Sequence, residues 1–92
     1  MKSIIQSEED RRCFLCGCTQ GLDVHHTWHG TANRKIADRD GLTVYLCRFC
    51  HENLHNKGIN DRELMEIGER AWIKETGKTV EEFIKRYGSN VL

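Results

Sequence analysis

Residues 46–55, LCRFCHENLH, combine two cysteines spaced C-x2-C with two histidines spaced H-x3-H. If this segment is helical, His51 and His55 lie one turn apart on the same face. A second C-x2-C pair, Cys13 and Cys16, occurs earlier in the chain. Four thiolates supplied by two such turns match the tetrahedral coordination of a structural zinc ion. The segment therefore predicts a fold that is organised around a bound metal.

We predict that the structural zinc is held by Cys13, Cys16, Cys47 and Cys50. A chain of 92 residues buries too little apolar surface to be very stable without such a staple. Disulfides or buried free thiols are the alternatives, and the odd count of five cysteines argues against full disulfide pairing. Cys18 competes with Cys16 as a ligand, but its spacing from Cys13 is less usual, so we expect Cys18 to be a free thiol.

Two further histidines, His25 and His26, lie in the β-prone run 23–28, DVHHTW. Neighbouring side chains on a strand point to opposite faces, so one of the two is expected to join the helical histidine pair as a metal ligand. The other is then free to act as a general base, since a histidine is neutral and basic near neutral pH. Three imidazole ligands leave coordination positions open for water and substrate, which is typical of catalytic metal sites. His29 is interpreted as an ordinary surface or core residue.

The residues around these motifs predict an arrangement of two strands and a helix. Residues 42–46, LTVYL, form a second β-prone run, and residues 47–56 are expected to form the helix that carries the histidine pair, ending at Gly58. The polar stretch 30–41, GTANRKIADRDG, is interpreted as a loop between the strands.

Two amphipathic helices are predicted after residue 59. Asn60 with Glu63, and Thr79 with Glu82, have the spacing of capping boxes. The expected helices end at glycines 77 and 88. Large aromatic residues at helical spacing in this region are interpreted as core, namely Trp72, Phe83 and Tyr87. The chain is expected to form one domain over 1–92, with a flexible arm at 1–12, the metal-binding part at 13–58 and a helical platform at 59–92.

Composition limits the classes of function. No apolar stretch reaches the length of a signal peptide or a membrane span, so a soluble cytoplasmic protein is expected, without a membrane partner. The formal net charge of zero differs from the strongly basic balance of high-affinity nucleic-acid binders. Three basic residues beside the expected metal site, Arg34, Lys35 and Arg39, are candidates for holding phosphates, and a solvated loop would carry the same residues.

The histidine pair 25–26 followed by LCRFCHENLH at 46–55 resembles the HNH family of nucleases, also called ββα-metal or His-Me finger nucleases, with an added four-cysteine zinc. The stretch 25–51, together with the tail EEFIKRYGSNVL at 81–92, is similar to small HNH-like proteins of bacteriophages and prophages. A phage-encoded protein of this kind acts in the cytoplasm of its bacterial host. The resemblance covers residues 13–92.

The resemblance implies a small α+β fold, a zinc-stabilised ββα-metal finger followed by two C-terminal helices. It implies a DNA endonuclease in which His25, His51 and His55 bind the catalytic ion while His26 takes a proton from the attacking water. Family members leave a 5′-phosphate and a 3′-hydroxyl. Because many relatives have an aspartate where this chain has His25, the ion is expected to be zinc, nickel or manganese more than magnesium.

The chain departs from the family pattern at the middle asparagine of HNH. Residues 42–44 are Leu, Thr and Val, so Asn33 or Asp40 is the candidate to brace the loop instead. The main alternative function is a non-catalytic zinc module that binds DNA, or a phage or host protein, in phage genome processing or recombination. A third hypothesis is an assembly factor that binds a partner through the apolar faces of its C-terminal helices.

Overall fold

The structure, a computed structural model, describes residues 2–92. Within these residues the chain is an α+β protein with a two-stranded antiparallel sheet and four helices. The elements in chain order are β1 (Leu22–His26), α1 (Thr31–Asp40), β2 (Thr43–Cys47), α2 (Arg48–Lys57), α3 (Asp61–Thr76) and α4 (Val80–Tyr87). None of the helices described is both long and apolar enough to span a membrane.

The sheet places the first histidine pair beside the second metal-binding segment. β1 pairs with β2 so that Leu22 lies opposite Cys47 and His25 lies opposite Val44. Every residue of β2 is buried, as expected of a β-branched and aromatic run at the centre of the molecule. α2 follows β2 without a loop, and Cys47 is both the last strand residue and the N-cap of the helix. The strands and the helix predicted around the motifs are confirmed to within two residues at each end.

The prediction of a loop over 30–41 is wrong, because residues 31–40 form α1. Ala37 is the one fully buried residue of this helix, so its sequence lacks the apolar stripe by which an amphipathic helix is usually recognised. The helix ends at Gly41, whose φ of 76° is left-handed, and Leu42 N–H donates back to the Ala37 carbonyl at 2.8 Å. The packing of α1 against the rest of the molecule therefore outweighs the weak helix propensity of its sequence.

Two hydrophobic clusters form the core. One surrounds the cysteine pairs and includes Val44, Leu46, Leu54 and Leu64. The other joins α1 to the C-terminal helices and contains Trp28, Leu42, Trp72, Phe83 and Tyr87. The prediction that Trp72, Phe83 and Tyr87 are core residues is confirmed, since each is at most 3% exposed.

The two predicted capping boxes have different outcomes. Thr79 and Glu82 form a complete capping box at the start of α4, as predicted. Asn60 does not cap α3 with its side chain, because its backbone adopts a left-handed φ of 64°. Its amide Nδ2 donates instead to the Glu63 carboxylate at 3.2 Å.

The N-terminal segment, predicted to be a flexible arm, makes hydrogen bonds to the region of β2. Ile4 N–H donates to the Gly41 carbonyl at 2.9 Å, and the Ser3 hydroxyl donates to the Thr43 carbonyl. The Gln6 side chain is buried and accepts a hydrogen bond from Tyr45 N–H at 2.8 Å. These bonds dock the segment along β2, which the polar sequence alone did not reveal.

Candidate metal sites and the cleft beside them

The four predicted zinc ligands come together. The sulfur atoms of Cys13, Cys16, Cys47 and Cys50 lie within 4.8 Å of one another, so they could hold a metal ion such as zinc. Cys13 and Cys47 are buried, and Sγ of Cys16 lies 3.6 Å from Sγ of Cys47. The donor set fits zinc by its chemistry, since four cysteine sulfurs in two turns form a closed tetrahedral site.

Each cysteine pair is shaped by its local backbone. The first turn is closed by a hydrogen bond from Gly17 N–H to the Cys13 carbonyl at 2.9 Å, and Gly17 takes a φ of 81° that favours glycine. The second turn is the start of α2, where Cys47 Sγ accepts from Cys50 N–H at 3.5 Å. Burial opposes ionisation of Cys13, but backbone amides, with that of Cys47 the strongest, outweigh burial and lower its pKa to about 6. Thiolate, the ligand form, is thus favoured at Cys13.

Cys18 lies outside this group. Its side chain is exposed, and its sulfur accepts a hydrogen bond from Gln20 N–H at 3.5 Å. The prediction that Cys16 and not Cys18 joins the cysteine cluster agrees with this placement.

A second convergence of ligand atoms is formed by His25, His51 and His55. One ring nitrogen from each lies within 4.8 Å of the others. The ring of His25 lies 5.3 Å from that of His51 and 5.8 Å from that of His55, measured between centroids. The two helical histidines are one turn apart, with their Nε2 atoms 3.0 Å apart. Three side chains from β1 and α2 therefore surround one point.

Of these three histidines, His25 is the one with a buried ring nitrogen that lacks a hydrogen-bond partner among the described residues. The residue is 3% exposed, yet its Nε2 has no hydrogen-bond partner among the described residues. Burial, followed by repulsion from the rings of His51 and His55, lowers its pKa to about 4. The ring is thus neutral at neutral pH, and a buried ring nitrogen without a partner is costly unless a ligand meets it.

Asp23 contacts the histidine cluster through the ring of His51. Its carboxylate Oδ2 lies 3.2 Å from Nδ1 of His51. A carboxylate only accepts hydrogen bonds, so Nδ1 carries the proton and the Nε2 lone pair faces His55. The sequence analysis missed Asp23, although its place two residues before His25 on a strand puts both side chains on one face.

His26 lies outside the ligand group and is held by α1. Its Nε2 donates to the Asp38 carboxylate at 3.1 Å, and its side chain is 16% exposed. This leaves Nδ1 as the nitrogen with the free lone pair. Asp38 was missed because its segment was interpreted as a loop.

A cleft of about 400 Å³ connects these histidines. Its lining includes His25, His26, His51 and His55, and also His29, which the sequence analysis set aside. The Nε2–H of His29 donates to the Asp61 carboxylate at 2.6 Å, at the first residue of α3. No sequence signal joined these two residues, because they are distant in the chain.

The basic and bracing candidates have different positions. Of the three basic residues, Arg34 lines the cleft, whereas Lys35 and Arg39 are not among its lining residues. Asn33 donates to the Tyr87 carbonyl at 3.0 Å and so fastens α1 to α4. Asp40 accepts from the Trp72, Arg86 and Tyr87 side chains and also joins the helices. Asn33 and Asp40, the two candidates to brace the loop, thus connect α1 to the C-terminal helices.

Compared with known proteins, the chain matches no family model, no curated protein and no solved structure. The HNH resemblance of residues 25–26 and 46–55 therefore remains a prediction. The activity has to be inferred from the chemistry of the side chains described above.

Proposed function

We propose that this protein is a metal-dependent endonuclease of the HNH type, which hydrolyses phosphodiester bonds of DNA. The observation that carries the proposal is the convergence of His25, His51 and His55 on one point, with a fourth imidazole, that of His26, in the same cleft. β1 and α2 supply all four side chains, and β2, which pairs with β1, runs directly into α2. The ββα-metal resemblance implies two strands and a helix, and in this chain α1 lies between the two strands.

The donor set fits a divalent transition-metal ion. Three imidazole nitrogens suit zinc, nickel or manganese better than magnesium, which prefers oxygen ligands. His25 Nε2 is buried without a hydrogen-bond partner, as expected of an atom that binds an ion. The bond between Asp23 and Nδ1 of His51 fixes the ring so that its Nε2 can act as a ligand. When bound, the ion supplies positive charge that stabilises the phosphate and the departing oxygen.

His26 is the proposed general base. Because its Nε2–H is held by Asp38, Nδ1 is the atom that accepts a proton from water. The water oxygen then bonds to phosphorus, and the bond from phosphorus to the 3′ oxygen breaks. The 3′ oxygen leaves and takes up a proton from solvent, which gives the 5′-phosphate and 3′-hydroxyl ends of the family. The Asp38 carboxylate stabilises the imidazolium formed in this step.

The second candidate function is a non-catalytic zinc module that binds DNA or a protein. The observations that favour it are the net charge of zero and the absence of an asparagine at residues 42–44. In this hypothesis the histidines hold a second structural ion or none at all. Metal counting separates the two hypotheses, because two ions of which one is exchangeable and binds water support the nuclease, whereas two closed tetrahedral sites, or the cysteine site alone, support the module.

The nuclease proposal is tested by incubating the purified protein with supercoiled plasmid and single-stranded DNA in manganese, nickel, zinc or magnesium. We expect His26→Ala to lower the cleavage rate by about 100-fold or more, the range typical of losing a general base. His29→Gln is the matched control, because His29 lines the same cleft but lies outside the ligand group. If folded wild type and His26→Ala are equally inert in every metal, the catalytic proposal fails.

A further inference from the structure

The cleft is bounded not only by histidines but also by the start of α1. Gly30, Thr31 and Arg34 line it. Gly30 precedes the ten-residue helix and provides no side-chain cap, and the first turn contains no acidic residue. The first-turn N–H groups and the helix dipole make such an end attractive to anions.

Arg34 adds a full positive charge to this end of the cleft. It forms no ion pair with any of residues 2–92, whereas the guanidinium of Arg86 lies 2.6 Å from the Asp40 carboxylate. Three other carboxylates contact residues of the cleft, those of Asp23, Asp38 and Asp61. Each lies within hydrogen-bond distance of a cleft histidine and is already engaged there. The guanidinium of Arg34 is therefore available to a ligand.

An independent observation indicates that the cleft receives a ligand. His25 is 3% exposed, lines the same cleft and has a buried Nε2 without a hydrogen-bond partner. A polar atom buried in this way is rare in native proteins unless an ion, water or ligand meets it. The histidines provide nitrogen ligand atoms at one part of the cleft, and α1 provides positive charge at another.

We propose that Arg34 and the first-turn amides of α1 bind the DNA backbone phosphate next to the one that is cut. This inference rests on the proposed function and deepens it, because it assigns the path of the strand from the histidine cluster toward α1. It also separates Arg34 from Lys35 and Arg39, which belong to the same helix but do not line the cleft. Phosphate contacts of this kind fix the register of the substrate without reading its sequence.

The test measures DNA binding without cleavage. The His26→Ala protein, with its fold checked by circular dichroism, is titrated with a fluorescently labelled short duplex at several salt concentrations in manganese. Arg34→Ala is expected to weaken binding by about 5- to 10-fold and to reduce the salt slope by about one. Arg39→Ala is the matched control and is expected to change binding by less than about 2-fold. Equal effects of the two substitutions would overturn the proposal in favour of general charge attraction.

Thr31→Pro tests the helix amides separately. Thr31 is the first residue of α1, a position where proline is tolerated, so the substitution removes one N–H while keeping the helix. We expect this variant to bind the duplex about 3-fold more weakly than its parent. Unchanged binding by a folded Thr31→Pro protein would remove the amides from the proposed phosphate site.

The contacted phosphate is identified with duplexes in which one linkage at a time is an uncharged methylphosphonate. At the proposed linkage, Arg34→Ala should cause no further loss, because the residue and the charge it contacts form one interacting pair. Additive losses at every linkage would contradict the proposal. Inorganic phosphate is added as a competitor at constant ionic strength, and competition beyond that of sulfate would indicate a site for free phosphate instead.

The outcome is independent of the nuclease test. Arg34-dependent binding at one linkage supports the phosphate site even if no metal supports cleavage. Cleavage that depends on His26 but not on Arg34, with binding insensitive to Arg34, supports the nuclease and overturns the phosphate site.

Discussion

Asp23 and His51 form a pair in which a carboxylate oxygen lies 3.2 Å from the ring nitrogen Nδ1. The pair joins the start of β1 to α2, the helix that carries both H-x3-H histidines. It fixes which nitrogen of His51 carries the proton and which faces the other imidazoles. In metal sites, a carboxylate that accepts a hydrogen bond from a ligand histidine commonly orients the ring and raises its basicity.

The first prediction concerns this pair. Asp23→Ala is expected to lower the affinity of the histidine cluster for a divalent ion by about 10- to 100-fold, since the ring loses its orienting partner. The measurement is calorimetric titration of zinc-reconstituted protein with nickel. Arg48→Ala is the control, because Arg48 also contacts Asp23, at 3.6 Å, but does not touch the histidines. Equal nickel affinity in wild type and Asp23→Ala would show that the carboxylate does not support the site.

The second prediction is that folding depends on metal at the cysteine cluster. Cys47→Ser is expected to bind one zinc ion fewer than wild type and to lose its cooperative thermal transition. The free energy of binding a structural zinc, about 10 kcal/mol or more, is as large as the whole stability of a typical domain. Cys18→Ser should keep the zinc content and the midpoint of wild type, because its sulfur lies outside the cluster. A Cys47→Ser protein that melts like wild type would contradict this coupling.

Much of the convergence of the cysteine and histidine side chains could be predicted from spacing alone. C-x2-C pairs and an H-x3-H pair are local patterns, so their meaning depends little on the rest of the fold. Strand alternation likewise separates His25 from His26, and the structure brings one into the ligand group while Asp38 holds the other.

The partners of these residues were harder to predict. Asp38 was missed because α1 buries little apolar surface, and the pairing of His29 with Asp61 joins positions far apart in the sequence. The docking of Gln6 beside Tyr45 depends on tertiary hydrogen bonds that no periodic pattern encodes. Local motifs thus predict which cysteines and histidines come together, whereas long-range polar contacts require the folded structure.

The third prediction concerns Asp40, whose carboxylate links α1 to the C-terminal helices. Burial opposes its ionisation, but hydrogen bonds from Arg86, Tyr87 and Trp72 outweigh burial and hold its pKa below 3.8. A folded-state pKa below that of the unfolded chain stabilises the fold at neutral pH and stops doing so as the pH falls through the folded value. Asp40→Ala is expected to lower the free energy of unfolding by about 2 to 4 kcal/mol at neutral pH.

The pH dependence of this effect follows from the same shift. The stability difference between wild type and Asp40→Asn should be full above the pKa of an ordinary aspartate and shrink as the pH falls below it, through the lowered pKa of Asp40 in the folded protein. Urea denaturation in zinc-saturated buffer measures it. Lys85→Ala, on the same helix as Arg86, is the control and should leave the difference unaffected. A difference that stays constant with pH would show that the charge on Asp40 does not stabilise the interface.

The fourth prediction tests how closely α3 approaches the end of the sheet. Gly68 lies inside α3, where alanine would be favoured by helix propensity by about 1 kcal/mol. A Cβ at this position would overlap Oγ1 of Thr27, a residue that is fully buried. Overpacking of a buried contact costs about 1 to 3 kcal/mol, so the steric term should win and Gly68→Ala should be destabilised.

A double-mutant cycle separates this overlap from other effects of the substitution. Thr27→Ala removes Oγ1, so Gly68→Ala should be less costly in that background than in wild type, and urea denaturation of the four proteins measures the coupling. The Thr27 hydroxyl donates to the Leu42 carbonyl at 3.3 Å, so Thr27→Ala carries a cost of its own that the cycle subtracts. A Gly68→Ala protein that is more stable than wild type would mean that α3 or the Thr27 side chain moves to relieve the overlap, so that the gain in helix propensity dominates.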